Sequence, residues 1–135
     1  SGAQRKLTNL WGYDAEATVS PLGDRMVFTS TRSGDVELWT SDLAGGDLRQ
    51  VTHRLGYDGG AFFSPDSKMI VYRGSHPTDE KMIARDKDLL KQHLIVPTTF
   101  EIWVMNADGS NKRKVTNLAS GSFLYISIDI CNFNF

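Results

Sequence analysis

The stretch Ser64-Pro65-Asp66-Ser67-Lys68-Met69-Ile70-Val71-Tyr72 joins a four-residue turn signal to a short β-branched and aromatic run. Pro presets φ at the second turn position, and Ser and Asp side chains bond to nearby backbone. Ile, Val and Tyr suit a pleated, half-buried strand. The same arrangement occurs earlier in the chain. Ser20-Pro21 stands 44 residues before Ser64-Pro65, Val27 stands 44 before Val71, and Phe28 holds the place of Tyr72. Gly12-Tyr13-Asp14 recurs as Gly56-Tyr57-Asp58 at the same interval.

Further on the interval lengthens. Glu37-Leu38-Trp39 recurs as Glu101-Ile102-Trp103, and Gly45, Arg49, Val51 and Thr52 recur as Gly109, Arg113, Val115 and Thr116, all 64 residues on. The second copy therefore carries a 20-residue insertion between Tyr72 and Glu101. A period of about 44 fits propeller blades or helical arrays. Short β-branched runs bounded by Gly, Asp, Asn and Pro favour strands, and sustained 3.6-residue periodicity is missing from the repeat itself. Ser33-Gly34-Asp35 and Ala107-Asp108-Gly109-Ser110 read as tight turns. The unit is predicted as four strands, over 15–19, 25–30, 36–41 and 48–52 in the first copy. Trp39 and Trp103, at equal places in the third strand, are expected to pack between units.

Within the insertion, Met82, Ile83, Leu89, Leu90 and Leu94 fall on one helical face. They predict a helix over 79–94, capped by Thr78 or Asp79 and stopped by Pro97. Asp79, Glu80, Asp86 and Asp88 alternate with Lys81, Arg85, Lys87 and Lys91, which predicts a solvated face with i,i+4 ion pairs. The insertion reads either as a helix resting on the rim or as a lid or partner-docking element.

These residues resemble the blades of TolB-like β-propellers, the type also found in tricorn-like proteins and in propellers attached to prolyl-oligopeptidase-type peptidases. The family pattern Ser-Pro-Asp-Gly-Lys-x-Ile-x-Phe is closely approached at Ser64 to Tyr72, with Ser67 in place of Gly and Tyr72 in place of Phe. Its Thr-Ser-x-Arg-x-Gly continuation is met at Thr29 to Gly34, and its strand, Asp-Gly turn and Val-Thr ending at Ile102 to Thr116. The resemblance covers about residues 4 to 118. It departs at Leu22-Gly23-Asp24, where Asp-Gly-Lys is usual, and after Leu118, where Ile128-Asp129 stand in place of Ser-Pro.

The expected fold class is therefore all-β: two four-stranded antiparallel propeller blades, partial flanking strands and one helical insertion in the second blade. Residues 1–13 are read as the last strand of a preceding blade, since Leu7-Thr8-Asn9-Leu10 echoes Val115-Thr116-Asn117-Leu118. Residues 14–53 form the first blade, 58–117 the second with its insertion at 76–97, and 118–135 the first strand of a further blade. A closed ring takes about four to eight blades, and repeat units do not bury their faces alone. Either the chain is part of a longer propeller or several copies assemble one, with three copies making six blades.

Composition narrows function. The 135 residues carry 15 Lys+Arg against 16 Asp+Glu, a formal net charge of -1. A nucleic-acid binder would show a basic surplus, so none is expected as partner. No apolar run reaches the length of a membrane span. Cys131 is the one cysteine, which excludes an internal disulfide framework. His53, His76 and His93 are not spaced as metal ligands, and no calcium loop, nucleophile elbow, phosphate loop or dinucleotide fingerprint appears. No metal, cofactor or catalytic set is expected. The Ser1-Gly2 start has no Met and no apolar leader and reads as a processed end.

What remains is the Tyr-Asp pair of each copy. Tyr13-Asp14 and Tyr57-Asp58 precede the first strand of each blade, where propeller loops meet the central channel. With Arg73 and His76 at the start of the insertion they form the candidate binding set. Packing of Tyr between blades and turn capping by Asp is the competing reading. The resemblance implies a non-catalytic module binding a protein or peptide in a periplasmic or secreted protein, with a cytoplasmic setting open. A propeller gating a larger peptidase or hydrolase is the alternative. A metal-bearing lyase or glycan binder would need a His cluster that this chain lacks.

Overall fold

In the computed structural model residues 2–96 and 99–117 are described. β1 (Asp14–Val19), β2 (Arg25–Ser30), β3 (Glu37–Asp42) and β4 (Arg49–Gln50) form one antiparallel sheet in sequential order. β5 (Tyr57–Phe63) and β6 (Met69–Ser75) begin a second sheet, helix α1 (Glu80–Lys91) follows, and β7 (Glu101–Asn106) and β8 (Arg113–Lys114) complete it. Two meanders of identical order thus arise from the two sequence copies, and the helical insertion falls between the second and third strands of the second.

The repeated hydrogen bonds explain why the repeated residues are needed. In each Ser-Pro turn the serine Oγ accepts from the first residue of the next strand, Arg25 N at 3.1 Å and Met69 N at 2.9 Å. It donates to the turn's aspartate, Asp24 or Asp66. The scrambled Leu22-Gly23-Asp24 turn works because Gly23 supplies φ 70. Its counterpart Ser67 holds φ 62 without being glycine, and its hydroxyl accepts from Leu22 N of the other turn at 3.2 Å.

β4 and β8 are two residues each, shorter than the expected 48–52, because a side chain takes over the ladder. Thr52 Oγ1 accepts from Leu38 N and donates to Glu37, and Thr116 Oγ1 accepts from Ile102 N and donates to Glu101. The Val-Thr ending of each blade is a hydroxyl extension of the sheet. Residues 2–13 form no strand; Leu7–Leu10 instead lie along the first sheet, beside Met26, Phe28 and Leu48.

The two sheets meet face to face. Val27, Leu38 and Val51 of the first pack on Ala61, Phe63, Ile70, Tyr72 and Met105 of the second, with Trp103 against their edge. Each of the Val, Leu, Ile, Phe and Met side chains contributes about 1.5–3 kcal/mol by leaving water. Trp39 lies on the other face of its sheet, under the Arg32 guanidinium at 5.1 Å. The sheets are also stitched by backbone: Asp58 N donates to Val36 O at 2.9 Å, and Gly56 N to Asp35 Oδ2 at 2.9 Å.

Helix α1 is shorter than the predicted 79–94. Asp79 caps it, accepting from Lys81 N and Met82 N. It ends well before Pro97 in a Schellman closure: His93 adopts φ 60, with His93 N on Leu90 O and Leu94 N on Leu89 O. No helix residue is fully buried, so its apolar face rests only partly on the blades. The expected i,i+4 ion pairs do not form; Arg85 pairs with its neighbour Asp86, and Asp88 meets Gln92. Pro97, Cys131 and the 118–135 strand expectation lie outside the described residues.

Candidate functional site

The Gly-Tyr-Asp segments, the ends of β2 and β6, and α1 all gather at one end of the two sheets. Here the six candidate residues divide into two groups.

Asp14, Asp58 and His76 are drawn into side-chain pairs beside the tryptophans. Asp14 meets Arg32 at 3.0 Å, and Asp58 Oδ1 meets His76 Nε2 at 2.9 Å. Arg32 and His76 are 44 residues apart, so the two pairs are equivalents, and each of these side chains lies against the equivalent tryptophan. The second pair is the more enclosed, with side chains 1% and 6% exposed. Partial burial opposes the Asp14 charge, but hydrogen bonds from Ser30, Arg32 and Thr8 hold its carboxyl below the usual range. Glu37 stands close to Asp58 from the first sheet. Burial, with the neighbouring Asp58 and Asp35 charges, pushes it up to about 8 against the Thr52 hydrogen bond. Burial also raises Asp35 and the Tyr72 hydroxyl.

Tyr13, Tyr57 and Arg73 gather instead around Glu16. A bulge in β1 puts Glu16 at φ 55, and its carboxylate turns toward the second sheet. Oε2 accepts from Gly60 N at 2.8 Å, Thr29 Oγ1 at 3.1 Å and Tyr57 OH at 3.3 Å. Oε1 accepts from Arg73 at 3.1 Å. Phe100 closes the group, 5.1 Å from the Tyr57 ring and 5.6 Å under the Arg73 guanidinium. Burial and the Glu16 charge push Tyr57 up to about 12, and the same causes raise Tyr13. The motif reading missed Glu16 and Phe100. Glu16 aligns with Gly60 at the 44-residue interval, and both occupy the left-handed region, φ 55 and 59.

Beyond these groups the end is open. Between α1 and the Gly34–Val36 and Leu55–Tyr57 loops lies a narrow cleft, and a wider groove of about 790 Å³ runs between α1 and the Trp11–Tyr13 segment. Ser20 and Ser64 use their hydroxyls on their own turns, and the charged side chains of the two clusters are matched to each other. Among the described residues no three His, Cys, Asp or Glu side chains converge to hold a metal ion, and no helix is long and apolar enough to cross a membrane.

Two four-stranded meanders packed face to face, first strands adjacent and turn chemistry repeated, are blades of a β-propeller. No family model matches the chain. Among solved structures it is similar to a putative TolB from Agrobacterium tumefaciens, at 21% identity and TM-score 0.67 over 84% of this chain and 37% of that one. It is similar to TolB from Acinetobacter baumannii at 19% identity and TM-score 0.61, over 83% of this chain and 23% of that one. Tricorn protease matches at 17% identity and TM-score 0.56, over 87% of this chain and 9% of that one. The chain thus spans well under half of each of these proteins, and the likeness is one of fold.

Proposed function

We propose that this chain is part of a non-catalytic propeller that binds a protein or peptide at the end carrying α1. The observation behind this reading is the open groove between the insertion and the Gly-Tyr-Asp segments. The structures of TolB support the setting, an exported protein of periplasmic type. Panning a random peptide library on the full chain tests the reading. Enriched peptides should lose binding when Tyr57 or Trp11 is changed to Ser, and should keep it when Phe62, away from that end, is changed. Enrichment of nothing, or of peptides indifferent to all three changes, sinks it.

The reading includes further blades on both sides. Val51 is 3% exposed beneath the second blade, while its counterpart Val115 is 51% exposed. Phe63 is 4% exposed against the first blade, while its counterpart Val19 is 56% exposed. Each pair differs by the neighbour that one member lacks. We favour a homotrimer of two-blade units completing a six-bladed ring. Light scattering coupled to size exclusion should give a mass of about three chains. A stable monomer removes the trimer and leaves the missing neighbours to other segments of a longer propeller. In that case the likeness to tricorn protease favours a second reading, a propeller gating a peptidase.

A further inference from the structure

The wider groove has two unlike walls. One is apolar: Leu10 and Trp11 stand beside Tyr13, and Trp11 is 92% exposed. Its counterpart in the second copy is Leu55. The other wall is the side of α1 that carries Lys87, Leu90 and Lys91, with His93 at its end. No Asp or Glu lines the groove.

The charge on this wall follows from how the helix spends its acids. Asp79 caps the N-terminus, Asp86 pairs with Arg85 and Asp88 meets Gln92. Lys91 makes no ion pair among the described residues, and Lys87, one turn before it on the same face, makes none within 4 Å, although the half-buried Asp35 carboxylate acts on it from the adjoining cleft. The helix C-terminus adds roughly half a negative charge nearby. Two ammonium groups outweigh that half charge and the Asp35 carboxylate together. The groove is therefore locally cationic in a chain whose net charge is -1.

From this juxtaposition, and resting on the peptide-binding reading above, we propose that the groove takes an acidic peptide segment: an apolar or aromatic side chain against Trp11 and Leu90, flanked by carboxylates that meet Lys87 and Lys91. Exposed tryptophan is costly to leave in water and is the residue type most often found to anchor a protein interface. Carboxylates beside Lys87 and Lys91 supply orientation and rate of encounter. A neutral apolar segment would partly desolvate both ammonium groups and give the Lys91 one no partner.

The experiment uses the full chain and a fluorescein-labelled, acetylated and amidated peptide, Asp-Glu-Leu-Phe-Glu-Asp, followed by anisotropy. The controls are the same peptide with every carboxylate replaced by its amide, and one with Leu-Phe replaced by Ser-Ser. The acidic peptide should bind about tenfold more tightly than either control, with an affinity that falls as salt is raised. Trp11→Ser, and Lys87→Glu with Lys91→Glu, should each weaken it by about tenfold or more while the melting temperature stays within a few degrees, because all three side chains lie on the surface. Binding of the acidic peptide should also shift Trp11 emission to the blue, a change absent in Trp11→Ser. Equal affinity for the amide peptide, no binding, or binding indifferent to these substitutions overturns the proposal. So does a Trp11 emission shift that appears with rising protein concentration alone, which would make a second copy the occupant. If the peptide fails here while library panning still enriches neutral sequences lost on Tyr57→Ser, the acidic specificity falls and the general reading stands. If panning also enriches nothing, both fall.

Discussion

Replacing Asp58 by Ala is expected to destabilise the chain by about 3–5 kcal/mol, because it leaves buried polar groups without their shared acceptor. Asp58 receives His76 Nε2 at 2.9 Å and faces Glu37 across the seam between the two sheets. Its own backbone N–H holds Val36 O. Without the carboxylate, the imidazole stays wedged edge-on against Trp103, 5.1 Å between centroids, with nothing to accept its proton. Asp58→Asn keeps an acceptor of the same shape and should cost less, about 1–2 kcal/mol. Asp14→Ala should also cost less than Asp58→Ala. Arg32 keeps the Ser30 hydroxyl and its stack on Phe28 and Trp39 after losing that partner. Urea unfolding followed by tryptophan fluorescence ranks the three. Asp58→Ala within about 1 kcal/mol of the parent would show that the buried pair is not what holds this seam.

The same pair marks how far the sequence could be read. The 44- and 64-residue intervals identified the four-stranded unit, its turns and the place of the insertion, because every blade needs the same serine turn and the same Thr52 or Thr116 hydroxyl at its end. They also aligned Asp14 with Asp58. They did not reveal what Asp58 binds, since the Thr-Ser-x-Arg signature of the first copy becomes Arg73-Gly74-Ser75-His76 in the second. The structure supplies the reason. A side chain at Gly74 would meet Asp58 Oδ1, His76 and Trp103 within 3 Å, so Gly74 and His76 together replace Ser30 and Arg32. Glu16 escaped for a related reason: nothing local announces that a glutamate will take a left-handed bulge and reach across to the next blade. The helix was legible as a helix but not in length, because a histidine rather than a glycine closes it. The groove beside it was not legible at all. Trp11 and Lys91 are far apart in sequence, and only the fold sets them on facing walls.

Stability should fall as pH rises from about 5 to about 8, and Glu37→Gln should remove most of that fall. Glu37 titrates near its ordinary 4.5 in the unfolded chain and is pushed up to about 8 in the fold, first by burial and then by the Asp58 and Asp35 charges. Below about pH 4.5 both states hold the proton and the fold carries no penalty. Between the two values the unfolded chain has released a proton that the folded chain still keeps, so each step up in pH favours unfolding. Above about 8 the carboxylate is charged in both states and its full cost, on the order of 3–5 kcal/mol, is present. Asp35 is raised by burial as well and acts in the same direction, whereas Asp14 is lowered, so its contribution is lost only as pH falls below its ordinary 3.8, outside this range. The parent curve mixes these contributions, and the difference between parent and variant isolates Glu37. Gln keeps an acceptor for the Thr52 hydroxyl and offers Asp58 a permanent donor where Glu37 offers one only while protonated. The variant should therefore match the parent within about 1 kcal/mol near pH 5 and exceed it by several degrees in melting temperature near pH 8.5. A difference that stays constant across that range would mean that Glu37 carries the same charge in the folded and unfolded chain.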